Sequence, residues 1–216
     1  MSILLLAKLL VAYLLGSVSG ALLVGRLRNV DIRTLGSGNA GGTNAFRTQG
    51  LAFAAAVVAI DVGKGVLATG IGVLPVGLVT PSPLAQALAC GYACAIGHVW
   101  PVFHGFRGGK GAATLAGALI AVAPGATVLP MIVWLATLVA TGYVGLSTVL
   151  AAASLPLVLL LLASGRTFAP YMLFGLASAA LIVFTHRENL KRMRAGTEHR
   201  FERARLLGRL DGDDPK

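Results

Sequence analysis

GAATLAGALIAVAPGATVLPMIVWLATLVATGYVGLSTVLAAASLPLVLLLLASG, residues 111 to 165, contains no Asp, Glu, Lys or Arg. A soluble domain does not tolerate so long an uncharged stretch, because its surface helices need a polar face toward water. A bilayer demands it, since a spanning helix needs roughly 20 consecutive apolar residues. The rest of the chain agrees: 56% of its 216 residues are hydrophobic, 12% are charged and the mean hydropathy is +0.81. Those values lie outside the range of soluble globular proteins. The fold class that follows is an all-α integral membrane protein.

Working outward, further apolar runs cover Leu4 to Val24, Leu51 to Leu74, Leu84 to Val102 and Phe168 to Phe184. Cations gather between the runs. Arg26, Arg28, Arg33 and Arg47 lie in a first polar stretch, and Arg107 and Lys110 in a second. Arg187, Lys191, Arg192, Arg194, Arg200, Arg203, Arg205, Arg209 and Lys216 lie in or after a third. Positive loops stay in the cytoplasm, so all three stretches share that face and the uncharged PVGLVTPSP linker, Pro75 to Pro83, lies outside. The N-terminus is then outside and the C-terminus cytoplasmic. An even number of crossings must separate the second stretch from the third, and Pro124-Gly125 and Gly142 to Gly145 are natural breaks in the uncharged stretch. The expectation is a polytopic bundle of about seven transmembrane helices, with five as the fallback. It forms a single membrane-embedded domain over residues 1–216, with 197–216 a cytoplasmic tail.

The net charge of +10 is therefore a matter of topology, and no nucleic-acid partner is expected. The first run is read as a retained helix, since Lys8 sits inside its apolar part and no basic segment precedes it. Cys90 and Cys94, four apart on one helix, are expected to pack as small apolar residues.

The three polar stretches share one chemistry. GSGNAGGTNAFRTQG, Gly36 to Gly50, combines glycines that allow close backbone approach with hydroxyls, amides and an Arg suited to gripping an oxyanion. GHVWPVFHGFRGGKGAAT, Gly97 to Thr114, sets Lys110 directly before an apolar helix whose first turn offers free N–H groups. It is not a nucleotide-binding P-loop: His104 stands where the first Gly belongs and Gly111 where Ser or Thr should follow the Lys. His98 and His104 have no Cys, Asp or Glu beside them and predict no metal, and His98 reads as a cap or packing residue. In THRENLKRMRAGTEHRF, Thr185 to Phe201, His186 and Asn189 share a face if the last membrane helix continues, and Glu198 is placed to orient the tail by an ion pair. Asp61 and Lys64 are the only charges in the second apolar run, and form either a structural pair or a wall of a substrate cavity.

Together these three stretches, in this order, closely resemble the signature motifs of the bacterial acyl-phosphate:glycerol-3-phosphate acyltransferases, the PlsY family. AYLLGSVSGALL, Ala12 to Leu23, is similar to the family's first helix, but Ser19 stands where a Pro is usual, so the residue expected to kink it is missing. GYVGLSTV also departs, with Gly145 where the family tends to carry Ser and Thr148 near a second Ser, which weakens any role for Ser147 or Thr148. The resemblance implies transfer of a fatty acyl group from acyl phosphate to the 1-hydroxyl of glycerol 3-phosphate, without cofactor or metal. By the same analogy Ser37, Thr43, Arg47 and Lys110 engage the phosphate groups, and His186 and Asn189 hold glycerol 3-phosphate. Gly36, Gly38, Asn39, Gly41, Asn44, Gly108, Gly109 and Gly111 complete the cradle, their backbone amides foremost. The implied setting is the bacterial inner membrane with the site facing the cytoplasm. The implied partners are membrane lipids and the peripheral enzyme that makes acyl phosphate.

Two other classes compete. Glycerolipid acyltransferases using acyl-CoA or acyl carrier protein carry a His and an Asp separated by four residues, a spacing absent after His98, His104, His186 and His199. There is no GxSxG elbow either. A transporter of small organic phosphates would use the same basic loops as gates, but polar chemistry here gathers on one face and no inverted repeat is visible.

Overall fold

The computed structural model describes residues 2–74 and 82–201, and all regular elements among them are helical. In chain order they are α1 (Ile3–Gly16), α2 (Gly20–Leu27), α3 (Gly42–Gln49), α4 (Leu51–Val73), α5 (Pro83–Val99), α6 (Ala112–Val122), α7 (Val128–Thr141), α8 (Val144–Leu162), α9 (Phe168–Thr185) and α10 (Arg187–Arg194). The runs 51–73, 124–141, 144–162 and 165–185 are long and apolar enough to cross a membrane, and the bent α1–α2 pair makes a fifth. α6 is short, about 17 Å at 1.5 Å per residue, because the chain breaks at Ala123 and Pro124 while its apolarity continues. The linker residues 75–81 and the tail residues 202–216 lie outside the described residues.

The first apolar run breaks without its proline. α1 and α2 meet at a 42° bend, and Ser19 caps α2 by accepting from Leu22 N at 3.4 Å. A broken helix leaves carbonyls orphaned on one side and amides on the other, which is costly in hydrocarbon. The intramembrane charges meet this need. Lys64 Nζ donates to Gly16 O (3.0 Å) and Val18 O (2.8 Å), Asp61 Oδ1 accepts from Gly20 N (3.2 Å), and the two side chains pair at 3.0 Å. Cation at a helix C-terminus and anion at an N-terminus is the arrangement the helix dipoles favour. At the far end of the bundle Lys8 does the same for α4, donating to Gly72 O, Leu74 O and Gln86 Oε1.

Helices α1, α4, α5 and α6 pack at backbone distance. A side chain at Gly16 would overlap the Cys94 carbonyl, and one at Gly117 the Val62 carbonyl, so small residues set the spacing in place of the hydrophobic effect, which is weak between helices in lipid. Cys90 and Cys94 are buried in this interface as free thiols. α7 buries no residue and turns Met131, Ile132 and Leu135 outward, as a lipid-facing helix should. The Gly36–Gly50 loop, the Gly108–Gly111 loop, the α7–α8 turn and residues 186–201 all meet at one end of the bundle. Residues 197–201, read from the sequence as the start of a tail, pack there: Phe201 N donates to Gly142 O at 2.9 Å.

Candidate active site

The first loop is folded by its own asparagine. Asn44, buried in the first turn of α3, donates through Nδ2 to Ile32 O and Leu35 O, both at 3.0 Å, and accepts from Ser37 N at 3.0 Å. Its amide is thereby used up in shaping the loop. Gly36 turns with φ +56°, and a side chain there would overlap Asn44 Oδ1. α3 then begins at Gly42, after the N-cap Gly41, with no side-chain cap.

The second loop is laid against the end of α5. Gly108 N donates to Val99 O (3.2 Å) and Gly109 N to His98 O (3.1 Å), while a Cβ on Gly109 would overlap the His98 imidazole. Gly111 then opens α6 with φ +89°, again with no side-chain cap. The third stretch continues α9 into α10 through a break at His186. Lys110 Nζ donates to Asn189 Oδ1, Asn189 Nδ2 to Glu198 Oε1 (2.6 Å), and Arg192 Nε to Glu198 Oε2 (2.7 Å). Thr185 Oγ1 donates to Lys110 O at 3.1 Å, tying the second and third stretches once more.

Between them lies a cavity of about 210 Å³ lined from all three stretches. Ser37, Asn39, Gly41, Thr43, Asn44 and Arg47 come from the first, Lys110 and Gly111 from the second, and His186, Asn189 and Glu198 from the third. Asp61, Gly145 and Thr148 also line it. Asp61 pairs with Lys64 at 3.0 Å and also lines the cavity. Lys64 and Ser147 stand behind the wall, Ser147 donating to Tyr143 O. Gly36, Gly38, Gly108 and Gly109 do not reach it.

The source of the backbone donors is a correction to the sequence reading. Gly38 N donates to Leu35 O, Gly41 N to Asn39 O, and Gly108 N and Gly109 N to the end of α5, so these amides are spent within the fold. Gly42 and Thr43 open α3, and Ala112 and Ala113 open α6; all four line the cavity, so the N–H groups and positive dipole ends on offer there are those of two uncapped helix N-termini.

Burial raises the stakes of the charges. Arg47 Nε is buried without a partner, and burial draws its guanidinium below the usual value. Lys110 is pushed down to about 8, by burial first and then by the nearby Arg192 and Arg47 charges, with Glu198 opposing. His186 is pushed down to about 4 by burial and by Lys110. Its Nδ1 lies 2.9 Å from Ile182 O, a group that only accepts, so Nδ1 carries the proton and Nε2 is a neutral imidazole's acceptor. Among the described residues the cavity thus presents two cations outside any ion pair, Arg47 and Lys110, two helix N-termini and a neutral imidazole acceptor, beside the carboxylates of Asp61 and Glu198, which pair with Lys64 and Arg192.

A second space opens from it. An apolar groove of about 420 Å³ runs between α4, α6, α7, α8 and α9, lined by Val62, Leu115, Ala116, Leu119, Met131, Ala152 and Leu155. Val58, Ala112, Ala113, Trp134 and Thr148 line both spaces. Of the residues that join them, sequence reading named Thr148, with a weakened role, and missed Trp134; it also gave His98 no place in the cavity. Trp134 donates Nε1–H to Thr148 Oγ1 at 3.2 Å, and the only hint was an indole within an uncharged stretch needing a partner. His98, read as a cap or packing residue, lines the cavity with Nδ1 2.8 Å from Lys64 Nζ and 3.3 Å from Asp61 Oδ1, and no local pattern reveals contacts so distant in sequence.

Comparison with known proteins identifies the family. A family model described as glycerol-3-phosphate acyltransferase matches residues 6–196. The glycerol-3-phosphate acyltransferase of Chlorobaculum tepidum is 38% identical over 225 residues, covering 91% of this chain and 96% of the relative. Glycerol-3-phosphate acyltransferase 2 of Moorella thermoacetica is 43% identical over 197 residues, covering 91% and 97%. A crystal structure of PlsY, an integral membrane glycerol 3-phosphate acyltransferase, in its glycerol 3-phosphate form superposes with a TM-score of 0.83 at 34% identity, covering 95% of this chain and 98% of that one. Its lysophosphatidic acid form gives 0.82 at 33% identity, covering 94% and 98%. With a family model spanning most of its length, close relatives along the whole chain and a shared fold, this chain belongs to the PlsY family of glycerol-3-phosphate acyltransferases.

Proposed function

We propose that this chain transfers a fatty acyl group from acyl phosphate to the sn-1 hydroxyl of glycerol 3-phosphate, yielding lysophosphatidic acid and inorganic phosphate, the first step of phospholipid synthesis. The observation that carries the reading is the continuity of the cationic cavity with the apolar groove. A donor with a phosphate head and a hydrocarbon tail fits that pair of spaces. The relatives' names supply the acceptor, glycerol 3-phosphate.

Acyl phosphate is a mixed anhydride, so the reaction needs alignment and charge stabilisation more than a covalent intermediate. Ser37, Thr43, Arg47 and Lys110, with the first turns of α3 and α6, hold the phosphate groups. Asn189 and the Nε2 acceptor of His186 orient glycerol 3-phosphate. The acceptor oxygen bonds to the acyl carbon, the carbon–oxygen bond to phosphate breaks, and phosphate leaves with the electron pair. An imidazole pushed down to about 4 is a poor proton acceptor at neutral pH, whereas the phosphate that leaves with the bond's electron pair gains a strongly basic oxygen. The hydroxyl proton therefore ends on the departing phosphate.

The same cavity supports the finer topology. α2 ends and α4 starts at the cavity end, as do the pairs α5 and α6, α7 and α8; α9 ends there. Counting α1–α2 as one, that gives seven traversals, an odd number, with the N-terminus on the face opposite the cavity. Positive loops then put the cavity in the cytoplasm, in a bacterial inner membrane, within one domain. Membrane lipids surround α7, and acyl phosphate enters from the leaflet, supplied by the peripheral enzyme that makes it. Polar chemistry at one end of the bundle favours an enzyme over a transporter.

The test is a detergent-purified assay with palmitoyl phosphate, palmitoyl-CoA and palmitoyl carrier protein offered in parallel. Turnover of glycerol 3-phosphate with the first donor alone is expected; comparable turnover with either thioester would overturn the assignment.

A further inference from the structure

Arg47 sits in the cavity wall without a carboxylate: among the described residues no ion pair involves it, and its buried Nε has no hydrogen-bond partner. What it does have is a ring. Its guanidinium carbon lies 4.8 Å from the centroid of Phe201, within cation–π range. Phe201 is itself fixed from two sides. Its N–H donates to Gly142 O at 2.9 Å, and its ring packs against Phe46 at 5.8 Å, one residue before Arg47 on α3. The neighbouring Arg200 stacks on Tyr143 at 4.7 Å, pinning the same segment to the α7–α8 turn.

We infer that Phe201 is a positioning residue that aims the Arg47 guanidinium at substrate phosphate while leaving its N–H donors free. The inference rests on the reading of Arg47 as a phosphate ligand. A carboxylate in the same place would orient the guanidinium but would occupy its in-plane donors, the ones a phosphate needs for bidentate capture. An aromatic face meets the guanidinium through its π surface and competes for none of them. The segment after α10 therefore belongs to the site, joining α3 to the turn that opens α8.

The test varies the electronic character of the ring at constant shape. Phe201 replaced by successively fluorinated phenylalanines loses the negative face that attracts the cation. KM for the phosphate substrate that Arg47→Ala impairs is expected to rise stepwise, to roughly three- to tenfold, with kcat changed less than about twofold. F201L is expected to match the most fluorinated ring, and F201W to stay near wild type. In an R47A background the fluorinated series should have no further effect, since the ring then has no cation to aim. A flat KM across the series, or an equal rise with and without Arg47, would reduce Phe201 to packing and overturn the inference. Near-normal KM for both substrates in R47A would instead sink the reading of Arg47.

Discussion

Lys110 brings an ammonium into the cavity, and its buried environment resists that charge. Burial holds its ammonium near 8, so in the empty enzyme it is cationic below that value and neutral above. Because kcat/KM reports groups of the free enzyme, it should fall on the alkaline side with an apparent pKa near 8. In K110R, whose guanidinium keeps its proton, that limb should move beyond about pH 10 even though the rate is lower. A pH–rate profile of both proteins settles it: a limb that stays near 8 in K110R belongs to another group. Much of this was legible in the sequence. Cations, glycines and hydroxyls between apolar runs have few structural duties in a membrane protein, and Ser37, Thr43, Arg47, Lys110, His186 and Asn189 all line one cavity. The hydrogen-bond partners were not legible. Sequence identifies residues that permit a turn but not the carbonyl each amide will meet, so the spent amides of Gly38, Gly108 and Gly109 and the structural use of Asn44 emerged only from the fold.

At the scale of elements, α6 determines how the groove joins the cavity. Ala112 and Ala113 belong to both spaces, Ala116 lies about 5 Å further along the helix, a turn below them, and Leu119 lies deeper still. A large side chain at Ala116 should plug the groove just under the cationic site. A116F is expected to lose most turnover with palmitoyl phosphate while keeping turnover with butyryl phosphate, measured as kcat/KM over a chain-length series. Equal losses at every length would mean the acyl chain lies elsewhere. Hydropathy located the apolar runs because burial in lipid is written in composition. It could not see the bend at Ser17–Ser19, where the cue was a missing proline and the actual cause is a gap bridged by Asp61 and Lys64 from another helix. Hydropathy alone does not show that α6 stops at Val122, since the residues past the break are as apolar as those before it; Pro124-Gly125 was the cue, and the chain does break there.

For the whole molecule, three polar stretches far apart in sequence meet at one cavity because an even number of helices runs between each and the next, α4 and α5, then α6 to α9. Charge bias proposed that sidedness from the sequence, and the shared cavity supports it from geometry. The third dimension was beyond the sequence reading: close approach at Gly16 and Gly117 packs α1, α4, α5 and α6 together, and Asp61 and Lys64 on α4 satisfy the break between α1 and α2. Sidedness is therefore the claim on which the catalytic reading depends most. With Cys90 and Cys94 replaced by Ala, single cysteines at Ser37, Arg107, Thr197 and Ser82 can be probed on intact cells with a membrane-impermeant maleimide, then again after lysis. The first three should label only after lysis, and Ser82 on intact cells; external labelling at any one of the first three would contradict a single cytoplasmic site.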